Sequence, residues 1–172
     1  MLPTRQLIPP LTLRAPEGKT IRSGDFKQKK NLFIAFLDVD CAPCDEFLAE
    51  VARRAGELRE RQAVALIAFL APVPLPIAGR LPAEIIAGSD ISGRGAQAFL
   101  GDDAFFSNSF VRTGVFLADR YGELFAQWSV VRHKFPPMDE LFRWLDQIEI
   151  ACEECGASES AAAWQRPPDE AK

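Results

Sequence analysis

The sequence predicts an α/β domain, and three observations carry that prediction. Two short apolar runs, Asn31 to Leu37 and Ala63 to Phe69, bracket a stretch whose apolar residues recur at helical spacing. Two buried strands joined through a helix form a βαβ unit, and therefore a parallel pair. Further on, Val111 to Ala118 and Glu123 to Trp128 flank the turn Asp119-Arg120-Tyr121-Gly122, the pattern of an antiparallel hairpin. The third observation is a closing helix, marked by a stripe of Met138, Leu141, Phe142, Leu145 and Ile148. Pro136 and Pro137 open it, since proline is tolerated in a first turn.

Taken in order, residues 1–30 read as an irregular lead-in. Leu11 to Arg14 alternates like a short strand, Glu17-Gly18-Lys19 turns, and Ser23-Gly24-Asp25 caps a brief helical turn. The first core strand, residues 31–37, is too short for a typical helix and rich in phenylalanine. It leads into Cys41-Ala42-Pro43-Cys44. Beyond that motif Phe47, Leu48, Val51, Ala55 and Leu58 put one helix face in the core and leave Arg53, Arg54 and Glu57 in water. After the strand at residues 63–69, Pro72, Pro74, Pro76 and Pro82 break regular structure and demand a surface loop. Leu81 to Ala87 and Ser92 to Leu100 read as short helices, the second ended by Gly101-Asp102-Asp103. Gly93-Arg94-Gly95 is too short for a phosphate loop. Cys152-Glu153-Glu154-Cys155 ends the last helix, with Gly156 as its C-cap residue. Residues 157–172 are Ala, Ser, Glu and Pro with an isolated Trp164, the composition of a disordered tail. One domain over residues 1–156 is therefore expected, without internal repeats.

Composition narrows the function. With 172 residues, 48% of them hydrophobic, the chain can bury one sizeable core. A net charge of −4 and no basic stripe argue against a nucleic-acid surface. The densest basic run, Lys27, Lys29 and Lys30, solvates a loop. Met1 to Pro10 lacks the apolar core of a secretory signal, and no stretch approaches a membrane span. A cytoplasmic protein without membrane contact is expected. In that compartment structural disulfides are rare, so paired cysteines mean redox or metal chemistry.

Cys41 and Cys44 sit where a buried strand hands over to a helix. A helix N-terminus offers unpaired N–H groups and partial positive charge, both of which stabilise a thiolate. Dithiol–disulfide exchange needs such a thiol and a second one a turn behind to release the mixed disulfide. A zinc half-site and inert thiols are the alternatives. Asp38, Asp40, Asp45 and Glu46 act against the helix terminus by opposing further negative charge. Cys152 and Cys155, three apart on a helix, face one side. They read as a second redox pair that receives or passes on electrons by exchange with Cys41–Cys44, as half of a four-cysteine zinc site, or as incidental thiols; the wide separation from Cys44 disfavours zinc. His133, the single histidine, has a surface or packing role. Phe105, Phe106 and Phe110 read as packing, or as an apolar rim beside a dithiol.

The order strand, Cys-x-x-Cys helix, strand, irregular crossing, hairpin and final helix resembles the thioredoxin-like superfamily. Residues 31–37 leading into the cysteines, and Val115 to Leu124 with its Asp119-x-x-Gly122 turn, are similar to its redoxin (AhpC/TSA-like) branch. The resemblance spans roughly Leu11 to Ile150. It implies a three-layer fold with a central mixed β-sheet flanked by helices. It implies a thiol–disulfide oxidoreductase without cofactor or metal, acting on a protein dithiol or disulfide partner. Cys41 would attack and Cys44 would resolve. Thr113 or Gly114 would take the place of the substrate-docking cis-proline, with Arg112 beside it available to an anionic substrate or a sulfenate. Two other readings stay open: a peroxiredoxin-like antioxidant peroxidase using Cys41, and a redox-inactive or zinc-holding interaction module. The peroxidatic pattern Pro-x-x-x-Thr/Ser-x-x-Cys is absent, since Ile34 and Asp38 precede Cys41 at those spacings and Leu37 and Cys41 precede Cys44. Asp40 stands where thioredoxins carry tryptophan.

Overall fold

The computed structural model describes residues 2–73, 77, 79–102, 105–106, 109–110, 112–131 and 134–155. His133, Gly156 and the expected tail with Trp164 lie outside the described residues. So do the side chains of Phe105, Phe106, Phe110, Arg112, Cys152 and Cys155.

The two apolar runs are the centre of the sheet. β3 (Asn31–Leu37) and β4 (Ala63–Phe69) are buried at every residue and pair in parallel from Asn31↔Ala63 to Leu37↔Phe69. Continuous apolar sequence is what a strand covered on both faces needs. Between them runs α1 (Ala42–Arg53), followed by α2 (Ala55–Glu60). The one helix expected through Leu58 is broken at Arg54, whose φ of −101° and ψ of 19° leave the helical range. The expected apolar stripe survives the break, because Val51, Ala55 and Leu58 all stay buried.

The antiparallel hairpin is present as β8 (Arg112–Ala118) and β9 (Leu124–Val131), with β8 running antiparallel to β3. Asp119 closes the turn by accepting from the N–H groups of Tyr121 and Glu123, each at 2.8 Å. That is why an aspartate serves there.

The short helix expected over Leu81 to Ala87 is not formed. Ile85–Ser89 is instead a strand, β5, parallel to β4 from Ala65↔Ile85 to Phe69↔Ser89. A short apolar run fits either structure by periodicity; the paired isoleucines and the open edge of β4 decide for the strand. The lead-in also holds more structure than expected. β1 (Thr12–Arg14) and β2 (Thr20–Arg22) form a hairpin that joins β5 through Arg14↔Ser89, followed by a 3-10 turn at Ser23–Phe26. Gly88 permits this approach, since a Cβ there would lie 2.7 Å from that of Leu13.

Among the described residues, seven strands lie in the order β2-β1-β5-β4-β3-β8-β9, a central mixed sheet as the resemblance implies. A two-stranded pair, β6 (Phe105–Phe106) and β7 (Ser109–Phe110), stands apart from it. The second short helix forms as α3 (Arg94–Leu100), and the last as α4 (Met138–Cys155), starting just after the two prolines. Cores on opposite sheet faces complete three layers. One gathers Phe33, Leu37, Val115 and Leu117 against α1, α2 and α4; the other gathers Ile34, Phe36 and Phe116 against α3 and the lead-in.

Candidate functional site

The parallel strands β3, β4 and β5 end at one edge of the sheet, and the first cysteine pair sits beyond that edge. Ligands of open α/β sheets bind in this place, outside the strands' carboxyl ends. The turn from β3 into α1 passes through Asp40 in the left-handed region, at φ 56°. Aspartate tolerates that conformation better than most residues.

Cys41 is the N-cap of α1. Its carbonyl accepts from the N–H groups of Cys44 at 2.9 Å and Asp45 at 3.0 Å. Its Sγ accepts a further hydrogen bond from the Cys44 N–H at 3.3 Å. The first turn tolerates Pro43, whose missing N–H has no partner to lose there. Cys41 and Cys44 are joined by a disulfide across a Cα–Cα distance of 5.2 Å. Cys41 is 8% exposed and Cys44 is 1% exposed, while Ala42 and Pro43 between them stand in solvent. An incoming group therefore reaches Cys41 first. A thiolate released there keeps its N–H donor and the positive end of the helix.

Beneath the pair, Phe47 of α1 stacks on Phe135 with ring centroids 4.2 Å apart and packs on Phe33 of β3. Phe135 was not marked by the sequence, because it lies on no periodic stripe. Val73 and Ser89 join at the same edge, the Val73 N–H donating to Ser89 Oγ at 3.1 Å.

The start of β8 also reaches this edge, because β8 runs antiparallel to β3 with Phe36 opposite Gly114. Strand alternation divides the two candidates there. Thr113 shares its face with Val115 and Leu117, which belong to the same core as Cys41 and Cys44. It is fully buried. Gly114 points to the opposite face, where a Cβ would meet Leu100 Cδ2 at 2.6 Å. Gly114 therefore does not face the disulfide; it lets β8 close onto α3. Arg112 begins β8 opposite Val131.

Cys152 and Cys155 are not brought to this site. α4 begins near α1, where Asp139 pairs with Arg54. It descends to Glu149, which accepts from Nδ2 of Asn31, the first residue of β3, at 2.7 Å. Cys152 follows one turn later. The second pair thus lies at the amino-terminal edge of β3, about 20 Å of strand away from the carboxyl-terminal edge that carries Cys41. Direct exchange between the two pairs within one copy does not fit this geometry. Among the described residues, no three His, Cys, Asp or Glu side chains are grouped to hold a metal ion, and no helix is long and apolar enough to cross a membrane.

No family model matches the chain, and no curated protein matches it in sequence. Solved structures do match. The mitochondrial 2-Cys peroxiredoxin from Plasmodium falciparum superposes with a TM-score of 0.69 at 16% identity, covering 91% of this chain and 99% of its own. A DsbE-like thiol:disulfide interchange protein from Chlorobium tepidum gives 0.66 at 18% identity, over 87% and 99%. A yeast mitochondrial 1-Cys peroxiredoxin gives 0.75 at 14% identity, over 90% and 79%. At these identities the likeness establishes the fold, and the fold is thioredoxin-like.

Proposed function

We propose that this chain is a thiol–disulfide oxidoreductase acting on protein partners, with Cys41 attacking and Cys44 resolving. The observation that carries this reading is the disulfide between the N-cap of α1 and the residue three further on, at the carboxyl edge of the parallel strands. The Cys41 thiolate attacks one sulfur of a partner disulfide, forming a mixed disulfide and releasing the other partner sulfur as a thiol. Cys44 then attacks Cys41 Sγ, closing the intramolecular disulfide and freeing the second partner thiol. The partner gains two electrons and the Cys41–Cys44 pair loses them. Run backwards, the same steps oxidise a partner dithiol.

Thr113, on the sheet face that shares the core of the pair, would take the substrate-docking position, and Arg112, opening β8, would be available to an anionic substrate or a sulfenate. Cys152 and Cys155 stay a secondary redox pair in this reading, set at the far edge of the sheet. The redoxin type, residues 1–156 as the working domain with residues 157–172 dispensable, and a cytoplasmic setting belong to the same reading. It is tested by catalysis of insulin reduction by dithiothreitol. The full chain and a 1–156 truncation should both accelerate it, and Cys41→Ser should not.

The second reading is a peroxiredoxin-like peroxidase using Cys41, favoured by the likeness to peroxiredoxins. The residues before Cys41 weigh against it. A peroxide needs a positioned hydroxyl or cation to polarise its O–O bond, and Asp38 holds the position of the expected Thr or Ser.

A further inference from the structure

Around the disulfide, acidic side chains gather without cations beside them in sequence. Six carboxylates in other parts of the molecule, Glu50, Glu57, Glu84, Glu123, Asp146 and Glu149, each hold an arginine, while Glu17 and Glu60 stand singly. Beside the disulfide, Asp40, Asp45 and Glu46 are exposed and Asp38 is half-buried. Among the described residues none of these four side chains has an ion-pair or hydrogen-bond partner. The sequence offers no local relief, because no Lys or Arg occurs from Asn31 to Ala52. Two cations belong to this edge as well: Lys134, exposed beyond β9 next to the Phe135 that stacks on α1, and Arg112, which opens β8.

Four like charges left unpaired around one reactive group repel each other and repel any anion that approaches. The surface they frame also has a small apolar centre, Ala42 and Pro43, both exposed. A partner's sulfur must cross this rim to reach Cys41.

Resting on the exchange reading above, we infer that this rim selects the partner: the site takes disulfides flanked by lysine or arginine and disfavours anionic ones. The Cys41 thiolate forms a bond to a partner sulfur as the partner S–S bond breaks, and Cys44 then displaces the second partner sulfur. The proton lost when the Cys41 thiolate forms and the proton of Cys44 are taken up, through solvent, by the partner's two thiols. The rim adds attraction for a cationic flank as the mixed disulfide forms. Opposed charges across an interface act chiefly on the encounter rate and fade with salt.

The test uses the reduced full-length chain in single turnovers against three disulfides: a peptide with lysines on both sides, the same peptide with glutamates instead, and neutral bis(2-hydroxyethyl) disulfide. At low ionic strength the lysine peptide should react about tenfold faster than the glutamate peptide, and the ratio should fall to about twofold in roughly 0.5 M NaCl. In the Asp40→Asn/Asp45→Asn/Glu46→Gln variant the low-salt ratio should drop to threefold or less. A ratio near one, a reversed ratio, or a ratio that the variant leaves in place overturns the inference. Exchange with the neutral disulfide under those outcomes leaves the redox reading standing. No exchange with it defeats both.

Discussion

Reducing the Cys41–Cys44 bond should lower the stability of the domain by about 1.6 kcal/mol. The bond spans three residues, and the chain-entropy relation for so short a loop gives roughly that value at 25 °C. Two effects modify it. The helix terminus and the Cys44 N–H stabilise a reduced Cys41 thiolate, by about 0.3–1 kcal/mol at an exposed site and up to ~2 in a partly buried one. The unpaired Asp40, Asp45 and Glu46 work against that gain. The constraint on the unfolded chain therefore prevails, and the oxidised form is the more stable one. For a chain of 172 residues the difference corresponds to about 3–6 °C in Tm. Through linkage it places the dithiol about 35 mV on the reducing side of the same pair in the unfolded chain. Thermal and urea unfolding of the protein with and without reductant measure it. A reduced form as stable as the oxidised one, or more stable, would mean that thiolate stabilisation outweighs loop entropy and that the protein is built as an oxidant.

Gly114→Ala should destabilise by about 1–3 kcal/mol through overpacking against Leu100 and Phe116; an unchanged urea midpoint would show that the Leu100 tip gives way. Arg54 donates to both carboxylate oxygens of Glu57, at 2.6 and 2.8 Å, and holds that carboxyl below its ordinary value of 4.5. A carboxylate depressed in the folded state stabilises above its unfolded pKa and loses that contribution as pH falls through its folded pKa. Wild type should therefore exceed Glu57→Gln by up to ~1 kcal/mol at pH 6, a modest figure for a partly screened pair, with the gap closing below pH 4.5; a gap constant down to pH 3 would contradict this. Hydrogen peroxide should be consumed no faster than by a free cysteine, and a much higher rate constant lost in Cys41→Ser would promote the peroxidase reading.

How far the sequence spoke depended on whether a residue's neighbours along the chain decide its structure. β3 and β4 were legible because strands buried on both faces need continuous apolar runs, and the turn at Asp119 because its side chain caps its own backbone. α1 was legible from its stripe, but its break at Arg54 was not, since the apolar positions continue in phase through Ala55 and Leu58. β5 was misread because Ile85 to Ser89 becomes a strand through pairing with β4, each residue with one twenty positions earlier. β2 is three residues long and is held by β1. At the site, the cysteine motif and its place at a helix start could be read directly. Which of Thr113 and Gly114 faces the cysteines could not, because it depends on the register of β8 against β3. The distance between the two cysteine pairs depends on the direction in which α4 crosses the sheet, which no local pattern encodes.

Trapping distinguishes an attacking Cys41 and a resolving Cys44 from the reverse assignment. Each single variant, Cys44→Ser and Cys41→Ser, is incubated in reduced form with a disulfide-bonded peptide, and the adducts are identified by mass spectrometry after alkylation. Cys41 is the N-cap, more exposed than the nearly buried Cys44, and carries the N–H donor on its sulfur. A long-lived mixed disulfide through Cys41 is expected in Cys44→Ser, and no adduct in Cys41→Ser. Adducts formed through Cys44 in Cys41→Ser, with none in Cys44→Ser, would contradict it.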